Sequence, residues 1–145
     1  MKVRHSKAKG VNVLRQRWCG PAAISALCGV TAERAAKEIN RHRGRRPGQI
    51  VKGSWPNELR YAAKQFGFDL VRVPDMVGKS VTQMLKEVDR SKRYLVFTST
   101  HFFALKGNKA YDNTYLLGWS IRRKGARFRR GKLRGLYELR RIMRE

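Results

Sequence analysis

Small apolar residues crowd the early part of the chain, and strand-forming residues dominate from 68 onward. Residues 20–28, "GPAAISALC", place Pro near a first turn and Gly29 at a C-cap position, which predicts a short buried helix. Thr31 then caps "AERAAKEINRH", where Ala32, Ala35, Ala36 and Ile39 fall on one stripe, with Glu33 in the first turn and basic residues in the last. The stretch 43–54 carries turn chemistry and reads as a loop. Ser54 opens a third predicted helix, "WPNELRYAAKQF", closed by Gly67.

The period then changes. "FDLVRV" alternates as a strand ending at Pro74. Ser80 and Gln83 form a capping box ahead of "VTQMLKEVDR", with Val81, Leu85 and Val88 on one face. "RYLVFTS" reads as a buried strand, "HFFALK" and "KAYDN" as strands joined by a Gly-Asn turn, and "YLLGWSIRR" as one more. "LYELRRIMRE" is expected to end the chain as a short helix. Helices first and adjacent strands afterwards predict an α+β domain, its N-terminal helices packed on an antiparallel β-sheet. The expected organisation is a basic arm at 1–15, the domain at 16–121 and a basic extension at 122–145.

Charge changes the picture of partners. The 145 residues include 34 Lys and Arg against 10 Asp and Glu, a net charge of +24. Such a surface attracts polyanions before any specific contact forms, and DNA or RNA is the first candidate. The density peaks in "RRKGARFRRGKLR", whose Arg122, Arg123, Lys124, Arg127, Arg129, Arg130, Lys132 and Arg134 are candidate phosphate contacts. Tyr115 and Trp119 lie close enough in the chain to stack on bases. No apolar run approaches the ~20 residues of a membrane helix, and no secretion signal is expected at the start.

The candidate chemistry centres on "QRWCGPAA". Cys19 precedes the first turn of the 20–28 helix, where free N–H groups and the helix dipole favour a thiolate. Gly20 would let a substrate backbone approach, and the Cys19 N–H and the Gln16 amide are candidate donors to an oxyanion. Read alone, Cys19 is by default an inert core thiol, the usual fate of free cysteine. Cys28, nine residues on, is assigned to the core. On one helix the two cysteines are ~13.5 Å apart, beyond the ~7 Å of a disulfide, so two free thiols and a reducing, cytoplasmic setting are expected.

A thiol nucleophile needs a base, and the chain has three histidines. His5 lies in the basic arm and His42 among arginines, whereas His101 opens an apolar strand. If Gly107 and Asn108 form a two-residue turn, Lys106 pairs with Lys109, Phe103 with Asp112 and His101 with Thr114. Period two then puts His101, Phe103 and Asp112 on one face, with Asp112 a diagonal neighbour of His101 at ~7–8 Å. A three-residue turn offers Asn113 instead. Asp112 is the expected orienter of the imidazole, although it reads also as a turn residue bonding its own backbone. Trp18 and Trp55 are expected in the core, with a substrate cleft as the alternative. No spacing of His and Cys suggests a metal site, and no cofactor is expected.

"QRWCGPAA" followed by "HFFALKGNKAYDN" resembles the papain-like cysteine peptidases, nearest the bacteriocin-leader-processing group with its Gln, Cys-Gly-Pro, His and Asp pattern. The strand ending in His, the short hairpin and the Tyr-Asp are also similar to small papain-like proteins encoded by bacteriophages, which implies a setting in an infected cytoplasm or in the virion. The resemblance spans residues 16–115. It implies Cys19 as nucleophile, His101 as general base and acid, Asp112 as orienter and Gln16 as oxyanion donor, acting on a protein or peptide substrate. The alternative is a non-catalytic nucleic-acid-binding protein on the same scaffold.

Overall fold

The computed structural model describes residues 1–5, 19–46, 51, 53–99, 101–121 and 131–142. Among these, four helices and six strands form an α+β fold: α1 (Cys19–Cys28), α2 (Ala32–His42), α3 (Pro56–Gln65), β1 (Phe68–Arg72), α4 (Val81–Glu87), β2 (Arg93–Thr98), β3 (Phe102–Lys106), β4 (Lys109–Tyr111), β5 (Trp119–Ser120) and β6 (Leu133–Arg141). The sheet runs β1-β6-β2-β3-β4-β5, and every neighbouring pair is antiparallel.

Local signals placed most of the elements. Thr31 caps α2 through its hydroxyl, which accepts from the Arg34 N–H. Ser80 and Gln83 satisfy each other's backbone N–H groups at the start of α4. Helix α3 begins one residue later than expected. Its N-cap is Trp55, because Pro56 takes the first helical position and the Glu58 carboxylate accepts the Trp55 N–H at 2.8 Å. Ser54 is left to pack against α1.

The sheet separates two cores. Leu70, Leu95, Phe102, Ala104 and Tyr111 pack against the small residues of α1, α2 and α3. Tyr94, Val96, Phe103, Leu105, Ala110 and Leu136 face the other way, towards Val81, Met84 and Leu85 of α4. Alternation along β2 and β3 therefore buries both faces, as period two requires.

Three expectations are corrected. The C-terminal "LYELRR" is strand, not helix: β6 sits between β1 and β2, pairing Leu139 with Leu70 and Tyr137 with Leu95. A gap between two strands of complementary apolar pattern outweighs the helix propensity of Leu, Glu and Arg. Residues 133–141 are thus a central part of the sheet rather than an extension beyond the domain. The "YLLGWSIRR" strand shrinks to Trp119–Ser120, because Tyr115 to Gly118 form a turn closed by a Gly118 N–H to Tyr115 carbonyl bond of 3.2 Å. Finally, Trp55 is 66% exposed rather than buried. Trp18 lies outside the described residues.

Candidate active site

Cys19 is the first residue of α1, and the two residues after it belong to the buried wall of the helix. A Cβ on Gly20 would lie 2.4 Å from the Ser54 hydroxyl and 3.1 Å from Leu59, so only glycine lets the 53–55 segment close on this helix tip. That segment is itself fixed. Arg43 pairs with Glu58 through both side-chain forks and donates to the Gly53 carbonyl at 2.6 Å, while Glu58 holds Trp55.

The hairpin delivers the other two groups. Gly107 and Asn108 form the turn and Lys106 pairs with Lys109, the register expected of a two-residue loop. His101 and Asp112 stand just beyond the ends of β3 and β4. His101 Nε2 lies 2.7 Å from Asp112 Oδ2. Asn113 is not the partner in this bond. Asp112 has no exposed side-chain surface, and its other oxygen, Oδ1, accepts from the Thr114 and Tyr115 N–H groups at 2.8 and 2.7 Å. Asp112 thus bonds the following backbone through Oδ1, as a turn residue does, and the imidazole through Oδ2.

The imidazole links the carboxylate to the thiol. His101 meets Asp112 through Nε2 and also shares a hydrogen bond with Cys19. Burial raises the Cys19 pKa. The His101 hydrogen bond, the Phe102 N–H, the His101 charge and the Gly20 N–H more than offset this and hold the thiol below its ordinary value. Burial pulls His101 down, but the Asp112 and Cys19 hydrogen bonds and their charges push it up to about 9. Asp112 is also opposed by burial, and His101 with two backbone N–H groups holds it low. Thiolate, imidazolium and carboxylate are thus the mutually stabilised forms. Cys28 contrasts with this: burial pushes it up to about 12, which only the nearby Arg93 charge moderates. Both cysteines are free.

The remaining expected residues distribute as follows. Gln16 lies outside the described residues, as do Arg122, Arg123, Lys124, Arg127, Arg129 and Arg130. Lys132 and Arg134 are exposed at the start of β6, where Lys132 bridges to Ser80 and Arg134 is the extra residue of a bulge opposite Phe97 and Thr98. His42 is exposed beside Tyr61, with ring centroids 4.6 Å apart. Tyr115 and Trp119 meet each other at 5.1 Å. Among the described residues no cluster of His, Cys, Asp or Glu could hold a metal ion, and no helix is long and apolar enough to cross a membrane. Sequence reasoning missed the Phe102 N–H as a donor to the sulfur, because any residue presents a backbone N–H and only packing aims it.

The class so defined is an α+β domain carrying a Cys–His–Asp constellation between a helix tip and a sheet end. No protein-family model matches the chain, and neither does any curated protein or solved structure.

Proposed function

We propose that this chain is a thiol hydrolase of papain-like type that cleaves a peptide or isopeptide bond. The observation that carries the reading is the continuous link from the Cys19 thiol through His101 to Asp112, with the carboxylate 2.7 Å from Nε2.

In this reading the Cys19 thiolate attacks the carbonyl carbon, and the carbonyl π pair moves to oxygen. The Cys19 N–H at the start of α1 and the Gln16 amide are the donors assigned to that oxyanion. On collapse, the carbon–nitrogen bond breaks and His101 gives its proton to the leaving amine. Water then adds to the thioester, with neutral His101 taking its proton, and the acid departs as the thiolate reforms. Asp112 fixes the ring orientation and stabilises the imidazolium whenever it forms. The protein or peptide substrate would reach Cys19 past Trp55, which stands exposed beside the helix tip.

The test is alkylation. Cys19 should react with iodoacetamide well below pH 8, whereas an unperturbed thiol needs a pH near ~8.5. Cys19→Ala should abolish hydrolysis of any substrate found. Alkylation of Cys19 only at pH ~8.5 or above would remove the reading.

A second reading rests on the net charge of +24. In it the chain binds DNA or RNA through its Arg- and Lys-rich stretch, with or without hydrolysis. Retention of nucleic-acid binding by Cys19→Ala would separate the two activities.

A further inference from the structure

Residues 1–5 do not behave as a loose basic arm. Val3 is 4% exposed and belongs to the core shared by α1, α2 and α3. Its N–H donates to the Leu116 carbonyl at 2.8 Å. Arg4 is bound on its other side. The Arg4 N–H donates to Ser25 Oγ at 2.7 Å, Ser25 Oγ donates back to the Arg4 carbonyl at 3.0 Å, and that carbonyl also accepts the Ala32 N–H at 2.7 Å. The Arg4 guanidinium reaches the Gly29 carbonyl at 3.2 Å.

These bonds join two elements of the candidate site. Ser25 lies on α1, whose first residue is Cys19. Leu116 lies on the 112–118 loop, whose first residue is Asp112 and whose Thr114 and Tyr115 N–H groups grip the Asp112 carboxylate. Ser25 is fully buried, and its hydroxyl both accepts from and donates to the Arg4 backbone. A buried hydroxyl spent on a neighbouring backbone in this way fixes the position of one segment against another.

We propose that the Val3–Arg4 segment is a brace between the helix that carries Cys19 and the loop that carries Asp112, so that Ser25 and Val3 are positioning residues for the Cys–His–Asp constellation. The inference rests on the thiol-hydrolase reading of that constellation. Loosening the brace lets the 113–117 loop move, which weakens the grip on Asp112 and, through it, the bond to His101. The positively charged ring then loses support and so does the thiolate.

Ser25→Ala in the full chain tests this. It removes both Ser25 bonds and adds no bulk. NMR titration of the His101 ring should show its midpoint falling by about one pH unit, and alkylation of Cys19 by iodoacetamide at pH 6 should slow about tenfold. Val3→Pro, which deletes the N–H to Leu116 and changes no residue of α1, should shift both readouts the same way and carries the test if Ser25→Ala does not fold. A lower melting temperature with an unchanged His101 midpoint and alkylation profile in either variant would overturn the brace and leave the hydrolase reading standing. A Cys19 in the unaltered chain that alkylates only at alkaline pH would overturn both.

Discussion

His101 Nε2 and Asp112 Oδ2 meet at 2.7 Å across eleven residues of chain, with the carboxylate sealed from solvent and the ring 22% exposed. The two-residue Gly107–Asn108 turn makes this meeting possible, because it sets the register that puts both residues on one face of the hairpin. The bond then determines how the ring and the sulfur ionise.

Asp112→Asn keeps the shape and removes the charge. The His101 pKa, raised to about 9 in the intact site, should fall. Iodoacetamide labelling of Cys19 at pH 6 should slow by about tenfold or more, at one pKa unit per tenfold change. Cys28, pushed up to about 12, should stay unlabelled in both proteins. Peptide mapping after labelling at pH 6 checks both statements, and equal labelling of Cys19 in the two proteins would detach Asp112 from the site.

Gly20→Ala should destabilise the fold by about 1–3 kcal/mol, because its Cβ would lie 2.4 Å from Ser54 Oγ and 3.1 Å from Leu59 Cδ2. Ser54→Gly introduced with it removes the nearer clash and should recover part of the loss. Urea denaturation of the single and double variants reads this directly. An unaltered midpoint for Gly20→Ala would mean that the 53–55 segment gives way freely.

The Arg43–Glu58 pair holds that segment, with side chains only 15% and 7% exposed. Glu58→Gln leaves the half-buried Arg43 without its counter-charge and should cost about 1–3 kcal/mol. Burial opposes ionisation of Glu58, but Arg43 and the Trp55 N–H hold its pKa below the ordinary 4.5. A carboxyl depressed on folding adds stability that is full above its unfolded pKa and is lost as pH falls through its folded one. The stability gap between the native chain and Glu58→Gln should therefore be largest above pH 4.5 and narrow in acid below it. A gap independent of pH would show that the loss comes from packing alone.

The net charge of +24 predicts salt-sensitive binding to nucleic acid. Raising salt from about 50 to 200 mM should weaken binding of a DNA duplex by about tenfold or more, measured by fluorescence anisotropy. Lys132→Glu with Arg134→Glu, both on exposed positions, should reduce the slope of that dependence. Negligible binding at about 50 mM would point the basic surface at an acidic protein instead.

Much of this molecule was legible in local chemistry. The caps at Thr31 and Ser80, the Gly-Asn hairpin and the alternating strands are short-range features, set by hydrogen bonds within four residues or by period two. The shared face of His101 and Asp112 followed from a two-residue turn, which the sequence offered beside a three-residue one and the Lys106–Lys109 register selects. The N-cap of α3 slipped by one residue because Glu58, itself held by Arg43 from the end of α2, claimed the Trp55 N–H.

Residue types and their spacing by themselves determined the α+β class, most helices and strands, and which thiol, imidazole and carboxylate were worth watching. Tertiary structure alone decided that β6 enters the middle of the sheet, that Cys19 meets the Phe102 N–H and His101, and that Val3 and Arg4 tie α1 to the 112–118 loop. Each of these joins segments far apart in the chain. Their free energy comes from burying shared apolar surface and aiming backbone groups across it, and no local pattern records which distant partner will be there.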